Sequence, residues 1–182
     1  MPHDSTSEPE EALRLEKITT RFVAAEDRLR LDGQAPSGRV VVLWVTQRLM
    51  RRVVPVLLRH VSATLAGQPL PEVRHEFAQA AARAAHRDRG QQAPVVPDAE
   101  AAASGWRVET VEVTAGQGGI TLSLRGEKGE AARLFLAFGA LRVWINILHD
   151  VWRQAEWPTD VWPEWVTQAA PGTRDQTALP LH

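Results

Sequence analysis

The sequence predicts an α+β protein of two pseudo-repeated β-β-β-α units, an antiparallel sheet packed by helices, with an extra Ala-rich helix linking them. Three observations lead there. Val41-Val42-Leu43-Trp44-Val45-Thr46-Gln47-Arg48-Leu49 and Arg133-Leu134-Phe135-Leu136-Ala137-Phe138-Gly139-Ala140-Leu141 each pass from an apolar strand-like run into an amphipathic helix without a long loop. Each is preceded by a shorter alternating segment that ends in a turn, residues 28–33 and 120–126. One such unit leaves an apolar sheet face and a helix stripe uncovered, whereas two cover each other.

Residues 1–14 are polar and acidic, with Pro2 and Pro9, and read as a disordered arm. The first unit is expected over 15–66. Ile18, Thr20 and Phe22 alternate as in a half-buried strand, 25–27 turns the chain, and Leu29 and Leu31 share one side of a second strand. Asp32-Gly33 and Pro36-Ser37-Gly38 are dense turn chemistry. The third strand, 40–45, is apolar on both faces. Thr46 is placed to cap a helix from 47 to about 65, with Leu49, Val53, Val56, Leu57 and Val61 as its buried stripe. Pro55 removes a backbone donor there and predicts a kink over 51–54.

The linking region, 67–105, contains a helix over 72–89 whose apolar face is Val73, Phe77, Ala80, Ala81 and Ala84, then a Pro/Gln/Ala-rich connector with a helical turn at 98–103. The second unit, 106–157, offers strands at 106–114, 119–125 and 131–138 and a helix over 140–154. Residues 158–182 read as a Trp/Pro-rich strap and disordered tail. Placing Leu49 on Leu141 gives an offset of 92 for the helices, and Leu29 on Leu122 gives 93 for the strands before them.

Composition narrows the function classes. A net charge of −1 excludes a generally basic, DNA-coating protein. Residues 40–58, the most apolar stretch, carry Arg48, Arg51 and Arg52, each costing roughly 2.5–3.5 kcal/mol in a bilayer centre, so no membrane span is expected. The acidic start is unlike a secretory signal, and with no cysteine a cytoplasmic location is expected.

No catalytic, metal or cofactor signature emerges, and the expectation is a non-enzymatic protein-binding or assembly subunit that docks another protein or itself. His75 and His86 are about 16 Å apart along one helix, too far to share an ion. The histidines read as surface or capping residues. Glu109 and Glu112 fall on opposite faces of a strand. Four of seven tryptophans lie within 152–165, and Trp157, Trp162 and Trp165 form either a strap over the sheet or a hot-spot patch for a partner chain. The alternative is a nucleic-acid or anionic-ligand site on Arg48, Arg51, Arg52 and Arg59, opposite the first helix's apolar stripe, with Trp44 as a candidate stacking surface.

The run Ala25-Glu26-Asp27-Arg28-Leu29-Arg30-Leu31, Val42 to Leu49, and the Gln154-Ala155-Glu156-Trp157 helix ending resemble a pattern in small uncharacterised proteobacterial proteins. That resemblance implies a bacterial origin and brings no activity or site with it. Doubled sheet-plus-helix units are also similar at fold level to single-strand-binding folds of the PUR and Whirly type, which have four strands per unit where three are counted here.

Overall fold

The protein is described here from a computed structural model covering residues 12–88 and 93–168. Most of the expected arm and the tail after 168 lie outside the described residues. β1 (Leu13–Leu15) and β2 (Lys17–Val23) form one extended stretch bent at Glu16, followed by β3 (Arg28–Gln34) and β4 (Val40–Thr46). α1 (Gln47–Ala63), α2 (Pro71–Asp88) and α3 (Ala99–Ala103) lead to β5 (Trp106–Gly116), β6 (Gly119–Gly126) and β7 (Ala131–Ala137). α4 (Phe138–Gln154) and the short α5 (Glu164–Thr167) close the chain's described part. β1 thus begins within the segment expected to be an arm.

All seven strands belong to one sheet in the order β1-β7-β6-β5-β4-β3-β2. The α+β class holds, but the sheet is mixed rather than antiparallel. β4 and β5 run parallel, with Leu43 opposite Trp106, and β1 and β7 run parallel, with Leu15 opposite Leu134. Parallel neighbours need a long crossover, and the stretch through α1, α2 and α3 supplies it between β4 and β5. Every other pairing is an antiparallel meander. Only Glu16 separates β1 from β2, yet the two occupy opposite ends of the order, so the sheet curls until its ends meet. At that closure the Glu16 amide donates to the Gln34 carbonyl at 2.9 Å, and a Cβ on Gly33 would stand 2.7 Å from Leu15 Cδ1. Any larger residue at 33 would require the Leu15 side chain to move.

Alternation within strands and a 3.6-residue period within helices aim one set of side chains at a single core. Leu29, Leu31, Leu43 and Val45 enter it from the first meander, and Ile120, Leu122, Leu124, Leu134 and Leu136 from the second. α1 and α4 fill the inner face. Thr46 caps α1 by accepting from the Leu49 amide at 3.2 Å. The buried set of α1 is Met50, Val53, Val54, Leu57, Leu58 and Val61, so Leu49 and Val56 are only half-buried and the stripe is turned from the expected one. α1 packs on β5 as well as β4, and α4 packs on β2, β6 and β7. Each helix thus reaches over the first long strand of the other meander.

The outer face of β2–β4 is polar and partly covered. Asp32 is fully buried there, paired with Arg21 and with Arg30 Nε at 2.7 Å. The connector crosses this face, where the Val95 amide donates to Thr19 Oγ1 at 2.8 Å. Trp44 is half-buried beside it, with the Arg30 guanidinium 5.7 Å from its ring centroid. No helix among the described residues is long and apolar enough to cross a membrane.

Candidate functional site

α2 is mounted inside out. Proline at its first position and Glu72 in its first turn suit a helix start, and His86 and Arg87 suit its end. Two stripes run along it. His75, Gln79, Arg83 and His86 follow helical spacing and point inward or sideways, with His75 and Gln79 buried. Val73, Phe77, Ala80 and Ala81 occupy the opposite side and are exposed, with Leu70 exposed just ahead of the helix at φ +51° and Ala84 half-buried at the end of the row. Phe77 is 73% exposed and Leu70 72%. The sequence predicted this apolar stripe as the packing face; the structure turns it to solvent.

The reversal has a cause on α4. That helix is apolar on most sides, but Arg142, Asn146 and His149 form a polar row and are buried all the same. Buried polar groups need partners, and an apolar helix face would supply none. α2 supplies them. The Gln79 side-chain amide donates to the Arg142 carbonyl at 2.8 Å, and Arg142 Nη1 donates back to Gln79 Oε1 at 3.3 Å. Arg142 Nη2 lies 3.1 Å from His75 Nδ1, which must accept because a guanidinium only donates. His75 is therefore the neutral Nε2–H tautomer, and its other hydrogen bond is to the backbone of Ser62. Arg83 bridges to Asn146 and Asp150.

Charge in this seam is set by burial. Desolvation holds His75 below its ordinary pKa, and the Arg142 cation adds to the effect. Desolvation also depresses His149, against the pull of Asp150, and lowers Arg142 itself. Among the described residues Arg142 has no carboxylate partner; its neighbours are Gln79, His75, Thr64 and the Trp165 ring. His75 and His149 are thus buried, not the surface or capping residues expected. His60, in the last turn of α1, and His86, in the last turn of α2, occupy capping positions of that kind.

The tryptophan segment folds back on the molecule. Trp157 and Trp162 are buried and stand edge-on to Trp152, with centroids 5.1 and 5.4 Å away, while Trp165 is half-buried and stacked on His75. Their apolar area is largely covered within the chain. The arginines of α1 are divided. Arg51 forms a two-pronged pair with Asp160 at 2.8 and 2.9 Å, which raises the Arg51 pKa and lowers that of Asp160. Arg48, Arg52 and Arg59 are exposed on one side of α1 with no ion-pair partner among the described residues.

Two clefts complete the surface. One, about 720 Å³, lies where strands begin, between Arg39, Val41, Trp106, Glu130 and the connector residues Asp98 and Glu100. The other, about 370 Å³, is shallow and lies between Pro55, Arg59, Ser62, Asp160, Trp162 and Trp165. Among the described residues, no three His, Asp or Glu side chains gather into a metal-binding group. Comparison with protein-family models, curated proteins and solved structures finds no match for this chain.

Sequence reasoning missed the orientation of α2. A signal was present: Arg142, Asn146 and His149 fall on one side of an otherwise apolar helix and call for a polar partner. The stripe of His75, Gln79 and Arg83 is the match for it.

Proposed function

We propose that this protein is a non-enzymatic docking or assembly subunit, and that the outward face of α2 is its contact surface. One observation carries this reading: Leu70, Val73 and Phe77 stand in water while the same helix packs inward through His75 and Gln79. The polar row of α4 accounts for the inward side of α2, but it does not require the outward side to be apolar. Exposed aromatic and aliphatic side chains in a row, beside small residues, suit a protein partner. The test is a photo-crosslinking amino acid in place of Phe77, expressed in the source cells. A discrete crosslinked protein supports the reading, and absence of any protein adduct overturns it.

We also infer that the framework carrying α2 is a duplicated module. A single offset of 91 residues takes β4 to β7 (Val40 to Ala131) and α1 to α4 (Gln47 to Phe138), replacing the 92 and 93 read from sequence. It pairs every buried residue of α1 with a buried residue of α4, from Met50 on Leu141 to Val61 on Trp152. It also takes the Leu43–Trp106 joint of the sheet onto the Leu134–Leu15 joint. The same offset sets the start of α2, Pro71, on Trp162, just before α5. α2 is the longer of the two, and its outward face is where a specific contact is placed without disturbing the shared core.

A second reading, nucleic-acid binding, is favoured by Arg48, Arg52 and Arg59 on the open side of α1. Phe135, also exposed, sits on β7 next to Arg133, which pairs with Arg14 of β1. Such binding would weaken steeply as salt rises. Affinity for labelled single strands that is flat with salt, or unchanged by Arg48→Glu with Arg52→Glu, would remove this reading.

A further inference from the structure

We propose that the partner of α2 is α2 of a second copy of this chain, the two helices lying antiparallel about a twofold axis beside Ala80 and Ala81. This rests on the docking reading above and names its occupant. Two properties of the exposed face fit a reversed copy of itself.

The first is size. The bulky residues Val73 and Phe77 occupy the first half of the stripe, and the small residues Ala80, Ala81 and Ala84 the second half. In an antiparallel pair centred between Ala80 and Ala81, Phe77 of one copy lies over the partner's Ala84, and the alanines at the centre allow close backbone approach. Bulk meets space at Phe77 and Ala84, and the twofold repeats the match. A parallel pair would set Phe77 against Phe77 and leave the alanine half as a gap.

The second is charge. Glu76 and Arg87 are eleven residues apart, about three helical turns, and so lie on the same side of the stripe. Both are exposed, and neither has an ion-pair partner among the described residues. When a helix meets its own reversed copy across a twofold axis, like flanks adjoin. Glu76 then lies within one turn of the partner's Arg87, and the relation holds twice. In a parallel pair unlike flanks adjoin, so Glu76 would face the side of the partner that carries Arg74, and the Glu76–Arg87 match would be lost. The macrodipole alone favours acids early and bases late in a helix. It gives no reason for the apolar row between them to face water.

Single charge reversals separate self-pairing from other partners. Neither should unfold α2, because Glu76→Arg places a base four residues after Glu72, and Arg87→Glu places an acid four residues after Arg83. The full chain is examined by sedimentation velocity over a concentration series. The wild-type protein is expected to dimerise and Phe77→Glu to remain monomeric. Glu76→Arg alone and Arg87→Glu alone should each weaken the dimer by about tenfold or more. Mixing the two variants should restore association, since both cross-copy pairs are then complementary.

A wild-type monomer at all concentrations overturns the self-pairing, and the photo-crosslink at position 77 then decides separately whether a different protein docks there. A dimer that ignores Phe77→Glu, or single variants that do not rescue each other, places any self-contact elsewhere and also overturns it. A monomer whose α2 amides and position 77 are protected shows the stripe covered by the chain's own residues, and overturns the docking reading as well.

Discussion

Gln79 donates its side-chain amide to the main-chain carbonyl of Arg142 at 2.8 Å, with both residues buried. This contact fixes the rotation of α2 about its own axis. Because the inner side of the helix is held by hydrogen bonds, its apolar side is left free, and the proposed docking surface follows from that.

Substitutions on the two sides of α2 should therefore behave opposite to a conventional amphipathic helix. Gln79→Leu removes the donor to the Arg142 carbonyl and the acceptor of Arg142 Nη1, and should cost about 1–3 kcal/mol of folding stability. Phe77→Glu, on the exposed side, should change stability by no more than about 0.5 kcal/mol in the monomer. Urea unfolding of the two variants measures both. The reverse ranking would mean that Phe77 faces the core.

Stability should depend on pH through the buried histidines. His75 and His149 are both depressed, so the unfolded chain binds protons more readily than the folded one. Their contribution is full above the ordinary histidine value of about 6.5 and is lost as pH falls from there toward the depressed folded values. Urea midpoints should accordingly fall between pH 7.5 and 5. His75→Gln should flatten that fall relative to the native chain, and an unchanged slope would show that His75 is not buried neutral.

The tryptophan strap is expected to act as core. Trp162 is 7% exposed against Trp152, and truncating a buried indole typically costs about 3–5 kcal/mol. Trp162→Ala should thus lower the thermal midpoint strongly, with broadened tryptophan emission. A variant as stable as the native chain, but lacking its partner, would instead assign Trp162 to the interface.

If the halves are duplicated modules that cover each other, neither should fold alone. The cut falls naturally at Gly67, after α1, where φ is +78° and no packed neighbour is near. Fragments 1–67 and 68–182 should each lack cooperative unfolding and regain it when refolded together. Independent folding of the first fragment would show that β1–β4 and α1 do not need β5 and α4.

Much of this architecture was legible from local chemistry. Thr46 as a cap, the strands at 40–46 and 131–137, and the helical turn after Asp98 depend on nearest neighbours and appear where turn and period signals put them. Strand pairing was less accessible. The parallel joints at Leu43–Trp106 and Leu15–Leu134 join residues far apart in sequence, and nothing local specifies their direction. The rotation of α2 was hidden for a different reason. Both of its stripes are valid packing faces, and only the buried polar row of α4 decides between them.

The absence of cysteine from the chain allows the central claim to be tested with single introduced thiols. Phe77→Cys and Gln79→Cys would be exposed to a thiol reagent at low protein concentration, and their modification rates compared with those after unfolding. The account predicts rapid modification at position 77, slowed when the docking partner is present, and negligible modification at position 79 until the protein unfolds. Rapid reaction at 79 with protection at 77 in the isolated protein would contradict it, because α2 would then present its polar side to water and no apolar surface would remain for docking.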